Sequence, residues 1–202
     1  MLREPPPRAP ASEHPYIAAL ISDVLTGTDE ADARTQDRVR DLVARAKRGD
    51  GDAFGELYRL YHAPLYRLAR AHLRGGAEDA VAETFLRAWK ALPGYRDTGS
   101  PFVAWLYGIA RHVVIDEIRG QARVEPRAEV PGGHVEWKVD DELILAAAIG
   151  RLPDEQRQVV ELKFLMGATN AEVAAALGKS VGAVNAKQWR ALAALRRMLE
   201  ET

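Results

Sequence analysis

The spacing of apolar positions along the chain predicts helices and no strands. Over residues 100–119, "SPFVAWLYGIARHVVIDEIR", Phe102, Val103, Leu106, Ile109, Ala110, Val113 and Val114 recur at helical intervals and define one core face. At about 100° per residue, Trp105, Gly108, His112, Ile115 and Arg119 fall together on the far side. A soluble helix normally gives that side to Glu, Lys and Gln. A solvent face of tryptophan, histidine and arginine asks for a partner.

The same reading orders the rest of the chain. Residues 1–15 are rich in proline and charge and read as disordered. "YIAALISDVL" (16–25) has the pattern of a short helix, and "TGTDEADA" after it reads as linker. From about Thr35 the helical pattern is continuous. "RVRDLVARAKRGD" stops near Gly49, and the helix that follows has Asp52 as its expected cap, Pro64 as a kink and Gly75-Gly76 as its stop. "AEDAVAETFLRAWKALPG" is a third helix closing on Pro93-Gly94, and the loop 93–101 separates it from the helix of Trp105. "QARVEPRAEVPGGHVEWKVDDE" (121–142) has no sustained period and reads as a flexible tether. The expected architecture is all-α: an extension over 1–34, a helical domain over 35–123, a linker over 124–141 and a second helical domain over 142–202.

The second domain has the grammar of a helix-turn-helix. "LPDEQRQVVELKFLMG" starts at Pro153, carries acids in its first turn and ends at Gly167. "NAEVAAALG" then stops at Gly178, Lys179-Ser180 makes the turn, and Ser180 is placed to cap a helix starting near Val181. On that helix Val184, Gln188, Ala191, Leu192, Leu195 and Leu199 face inward, while Asn185, Ala186, Trp189, Arg190 and Arg197 face outward or flank that side. Lys179, Lys187, Arg190, Arg196 and Arg197 form a basic stripe with no carboxylate between them in sequence. A basic helix of this kind suits phosphates and base edges in a major groove.

Composition narrows the function. Among 202 residues, 28 Lys+Arg stand against 29 Asp+Glu, so local distribution of charge decides any nucleic-acid contact. With no cysteine there is no disulfide framework, thiolate nucleophile or Cys-bound zinc. The N-terminal stretch lacks the apolar core of a signal peptide, and no apolar run approaches the roughly 18 residues of a membrane span. A cytoplasmic protein without membrane contact is expected. No phosphate-binding "GxxxxGK[ST]" occurs, and His14, His62, His72, His112 and His134 show no ligand spacing. No catalytic residue, cofactor or metal is therefore expected, and the acids Glu78/Asp79/Glu83, Asp116/Glu117 and Asp140/Asp141/Glu142 read as solvated or capping.

Trp105, His112 and Arg119, backed by Arg111 and Arg123, have the make-up of a platform on which unpaired bases stack while arginines hold phosphates. The alternative is that Trp105 packs under the neighbouring loop. One domain suited to single strands and another to duplex are what promoter opening requires.

With these residues in view, "EDAVAETFLRAWKALPGYRDTGSPFVAWLYGIARHVVIDEIR" and "LPDEQRQVVELKFLMGATNAEVAAALGKSVGAVNAKQWRALAALRR" resemble regions 2 and 4 of extracytoplasmic-function sigma factors of bacterial RNA polymerase. The resemblance implies a region 2 bundle and a region 4 helix-turn-helix that direct core polymerase to promoters and help open them. It places Asp79, Glu83, Arg87 and Lys90 on the clamp helices of the largest polymerase subunit, with the flap region as a further contact. It makes Tyr95, Arg96, Asp97, Thr98 and Ser100 a pocket for a flipped −10 base, with Trp105, Arg111, His112 and Arg119 along the adjacent strand. Ser180, Asn185, Ala186, Lys187, Trp189 and Arg190 would read the −35 element, Asp140, Asp141 and Glu142 would run toward the active cleft, and an anti-sigma factor is a further candidate partner. The family often has a basic residue at the place of Asn185, Ser at Ala186, Gln at Ala82 and Asn at His112. The rival reading is a stand-alone helix-turn-helix regulator of duplex DNA, which leaves the Trp105 face and the 93–101 loop without a purpose.

Overall fold

The computed structural model describes residues 29–73, 75–97, 99–124 and 137–200. The extension before Asp29, Thr98 and the middle of the tether lie outside the described residues. Eight α-helices and no strand occur among those described. They are α1 (Asp29–Lys47), α2 (Gly51–His72), α3 (Ala77–Ala91), α4 (Phe102–Val124), α5 (Trp137–Gly150), α6 (Asp154–Val160), α7 (Asn170–Leu177) and α8 (Val181–Glu200).

Helices α1 to α4 form the first bundle. Val39, Leu42, Val43 and Ala46 line the buried side of α1 at three- and four-residue steps. They meet Leu57, Leu65 and Leu68 of α2, Val81, Phe85 and Ala88 of α3, and Phe102, Val103, Leu106 and Ala110 of α4 in one core. Val113 and Val114 extend the buried face of α4 into a second cluster with Ala69, Leu73, Ala77 and Ala80. Of the core face expected for α4, only Ile109 stays partly accessible.

Three local readings need correction. Asp50, not Asp52, caps α2: its carboxylate accepts the Ala53 amide at 3.0 Å and Arg45 Nε at 2.9 Å. The backbone bond from Ala53, then that from Arg45, holds the Asp50 carboxyl below its ordinary value. Helix α1 begins at Asp29, inside the stretch read as linker. Its first turns, "DEADA", carry acids that suit a helix N-terminus but show no apolar period to reveal them. The tether over 121–142 is helical at both ends, since α4 runs to Val124 and α5 starts at Trp137.

In the second bundle α6 continues into a π-helical turn over Glu161–Leu165, where the Met166 amide reaches back to the Glu161 carbonyl. Thr169 opens α7 with a capping box: its hydroxyl accepts the Glu172 amide, and the Glu172 carboxylate accepts the Thr169 amide. Gly178 closes the helix in the left-handed region at φ 61°, where a side chain would be strained. Ser180 then accepts the Ala183 amide and starts α8. Ala148, Ile149, Leu152, Val160, Ala191 and Leu195 build the core of this half.

The two bundles do not stand apart. Val159, Leu162, Met166, Val173, Ala174 and Val184 of the second half belong to the same buried cluster as α1 to α4. Each large apolar side chain so buried is worth about 1.5–3 kcal/mol.

Candidate nucleic-acid and polymerase interfaces

The duplex-reading candidates lie on α8. Val184, Gln188, Ala191 and Leu195 point inward and are buried, which turns the opposite side outward. There Asn185, Ala186 and Arg190 are exposed, and Trp189 is 68% exposed. The Arg190 Nε donates to the carbonyl of Ala186 one turn back, which leaves the rest of the guanidinium on the surface. Asn185 Oδ1 accepts from Asn170 Nδ2 at 2.7 Å, a bond that fixes the rotamer and leaves the Asn185 amide as a donor.

Lys187 is placed differently from its neighbours. It bonds to Glu155 of α6, and Lys179 reaches the other oxygen of the same carboxylate at 3.1 Å. These two lysines, Lys187 first, hold the Glu155 carboxyl below its ordinary value. The basic stripe therefore does contain a carboxylate, brought in from a helix about thirty residues away. Charge counting along one segment has no access to that pairing.

In the first bundle the 93–101 loop is anchored more firmly than its polar sequence suggests. Tyr95 is buried, its hydroxyl donates to the Ser100 carbonyl at 3.1 Å, and its own carbonyl accepts from Lys47 of α1. Burial pushes the Tyr95 hydroxyl up to about 12. The Tyr95 ring lies 5.0 Å from Trp105 and 5.8 Å from Phe102, and Trp105 lies 5.4 Å from Phe102. Trp105 thus packs against the loop with part of its surface accessible. Arg96 and Asp97 stay exposed beside it, with Asp97 4.0 Å from Arg40. Together with α1, Leu60, Tyr61 and the segment Met166–Ala175, this loop lines a cleft of about 580 Å³ between the bundles.

Further along α4, His112 is exposed and its Nδ1 donates to the Gly108 carbonyl at 2.7 Å, which presents Nε2 to solvent. Arg119 is exposed as well. Arg111 is engaged: its Nη2 donates to Asp154 Oδ1 of α6 at 2.6 Å. On α3, Asp79 and Lys90 are exposed, while Arg87 is held between Glu83 at 2.7 Å and Asp116 of α4 at 3.0 Å. Val81 and Phe85 point the opposite way into the core. No cluster of three or more His, Asp or Glu is arranged to hold a metal, and no helix is long and apolar enough to cross a membrane, among the described residues.

A bundle with an aromatic-basic helix beside a loop, joined in one chain to an exposed helix-turn-helix, defines a two-part promoter-binding protein. Family comparison gives the class its name. Residues 57–124 match the family model for Sigma-70 region 2, and residues 142–195 match that for Sigma-70, region 4. The chain is 36% identical over 200 residues to the ECF RNA polymerase sigma factor SigD of Mycobacterium tuberculosis, covering 90% of each chain. It is 35% identical to the ECF RNA polymerase sigma factor BldN of Streptomyces coelicolor, over 81% of this chain and 67% of that one. The solved structure of CnrH in complex with the cytosolic domain of CnrY superposes with a TM-score of 0.61 at 31% identity, covering 81% of this chain and 98% of CnrH. The chain belongs to the extracytoplasmic-function sigma factors of the sigma-70 family. It serves RNA polymerase as a sigma factor, in promoter recognition and transcription initiation, rather than as a stand-alone regulator.

Proposed function

We propose a division of labour between the halves in which α3 docks on the polymerase clamp helices, the 93–101 loop with α4 takes the −10 strand, and α8 reads the −35 duplex. The observation that carries it is the face of α8: polar Asn185, aromatic Trp189 and basic Arg190 stand exposed on one side of a second helix that a capped turn presents. Asn185 has the donor and acceptor set to recognise a base edge, and Arg190 that to neutralise a phosphate. Arg96 in the loop beside Trp105, and His112 and Arg119 further along α4, supply exposed cationic or hydrogen-bonding groups, as single-strand binding needs.

Energy for strand opening comes in this reading from binding. Separating DNA costs on average about 1.4 kcal/mol per base-pair step, and no nucleotide-hydrolysis motif is present in the sequence to supply it. We accordingly read the protein as a cytoplasmic binding factor without enzymatic activity. CnrH was solved with the cytosolic domain of CnrY, and by that likeness we assign this chain an anti-sigma partner.

Run-off transcription tests the reading. Purified core polymerase with this protein should give transcripts from a promoter that core alone ignores, and the protein alone should not shift that DNA. A specific shift by the free protein, with no transcript from the reconstituted enzyme, would refute it.

A further inference from the structure

Across the helix-turn-helix, three amide side chains meet. Asn170 is the first residue of α7, and its Nδ2 donates to Asn185 Oδ1 at 2.7 Å and to Gln188 Oε1 at 3.3 Å. Gln188 is buried, Asn170 is half-buried and Asn185 is exposed, so the cluster runs from the core to the outer face of α8. Its inner end is fixed twice. The capping box of Thr169 and Glu172 sets the backbone from which Asn170 projects, and Gln188 accepts from the same Asn170 amino group.

The polarity of the cluster follows from its buried end. Asn170 Oδ1 is buried and has no hydrogen-bond partner among the described residues. Turned about, the Asn170 amide would leave an NH2 group with two donors in that place. An unpartnered carbonyl is the smaller cost, since orphaned buried N–H groups are the rarer of the two. Asn170 thus gives its donors to α8, and Asn185 answers with its oxygen.

That leaves Asn185 with one function instead of two. A free Asn side chain reads adenine with both amide atoms on one base edge, Oδ1 accepting from N6 and Nδ2 donating to N7. With Oδ1 drawn onto α7, the two atoms cannot face one base edge together, and Nδ2 alone is left for the groove. Its N–H complements an acceptor. Guanine offers O6 and N7 and thymine offers O4, whereas cytosine offers only a donor and adenine sets a donor beside its N7.

We propose that Asn170 is a positioning residue for −35 specificity: by holding the Asn185 oxygen it turns Asn185 into a donor-only reader, which selects guanine or thymine over adenine. The inference rests on the assignment of Asn185 to the −35 duplex made above. Asn170 itself touches no DNA in this arrangement and acts through Asn185.

The experiment selects −35 sequences from a randomised promoter, with holoenzyme built from core polymerase and each variant. The position that Asn185→Ala relaxes marks the base Asn185 meets, and the parent protein should favour guanine or thymine there. Asn170→Ala frees the Asn185 oxygen and should enrich adenine at that position by about fivefold or more, the gain from one paired contact. The other −35 positions and the salt slope should stay at parent values in Asn170→Ala, because no charge changes. Asn170→Asp removes the donor and puts an acid in the first turn of α7, where the helix dipole favours it. Asn185 should then turn its Nδ2 onto the carboxylate and present Oδ1, which moves the preference to cytosine, whose N4 is a donor. Helicity by circular dichroism should match the parent in both variants. Adenine or cytosine favoured by the parent protein at that position would overturn the proposal. So would an unchanged preference there in either folded variant. A loss spread evenly over all −35 positions would make Asn170 a structural residue only, which overturns it as well. If Asn185→Ala relaxes no position, the assignment of Asn185 to the duplex fails first and takes the proposal with it.

Discussion

At the scale of single residues, side chains that look equivalent in the sequence differ in what they are free to do. Lys187 and Arg190 are one turn apart in spacing and both basic, yet Lys187 is bonded to Glu155 while Arg190 faces solvent. Arg190→Ala should therefore weaken promoter binding and reduce its salt dependence, because a phosphate contact releases counterions. Lys187→Ala should leave the salt slope nearly unchanged, as read by titrating holoenzyme binding against KCl. Asn185→Ala should instead relax preference at one or two −35 positions, scored by selection from a randomised promoter. The Lys187–Glu155 pair could not be read from the sequence. It depends on how α6 crosses α8, which no local pattern encodes.

At the scale of elements, α4 carries three faces where periodicity distinguishes two. The core face was legible, since Phe102, Val103, Leu106, Ala110, Val113 and Val114 are buried at the spacing expected. So was the helix-turn-helix, because caps and glycines act locally: Ser180 and Gly178 work where the sequence places them. Tyr107 was not legible, because its partner Glu161 lies 54 residues further along the chain. Trp105 sits between those cases, packed on Tyr95 and Phe102 yet partly accessible. Trp105→Ala should thus lower the melting temperature, with loss of ring packing worth roughly 0.5–1.5 kcal/mol beyond area burial. Exposed His112 bonds to the Gly108 carbonyl of its own helix, so His112→Ala should melt normally and fail in strand opening, seen as lost permanganate reactivity of −10 thymines. A pre-opened promoter bubble should restore part of its activity. For α7, Thr169→Ala removes one half of the capping box and should destabilise the second bundle by about 1 kcal/mol, measured by urea unfolding.

At the scale of the whole molecule, one question is whether the halves unfold together. Sequence reading treats them as independent units on a tether, and the order of the motifs supports that. The buried cluster running from Val39 through Leu106 to Val159, Leu162 and Val184 belongs to both halves. Small helical domains are individually marginal because they bury a limited share of their surface, so a shared core couples their stabilities. Calorimetry of the free protein should show a single cooperative transition whose calorimetric and van't Hoff enthalpies agree. Glu161→Ala should uncouple the halves, since Tyr107 and His72 are then left without an acceptor at a buried contact. Its thermogram should split into two transitions or broaden until the enthalpies disagree. Arg111 and Asp154 should behave otherwise, because their pair is substantially exposed and screened by salt. Raising KCl should loosen that flank while the single transition persists, since the buried contact at Glu161 is reached little by ions. Two resolved transitions in the parent protein at low salt would mean that the shared cluster does not couple the bundles.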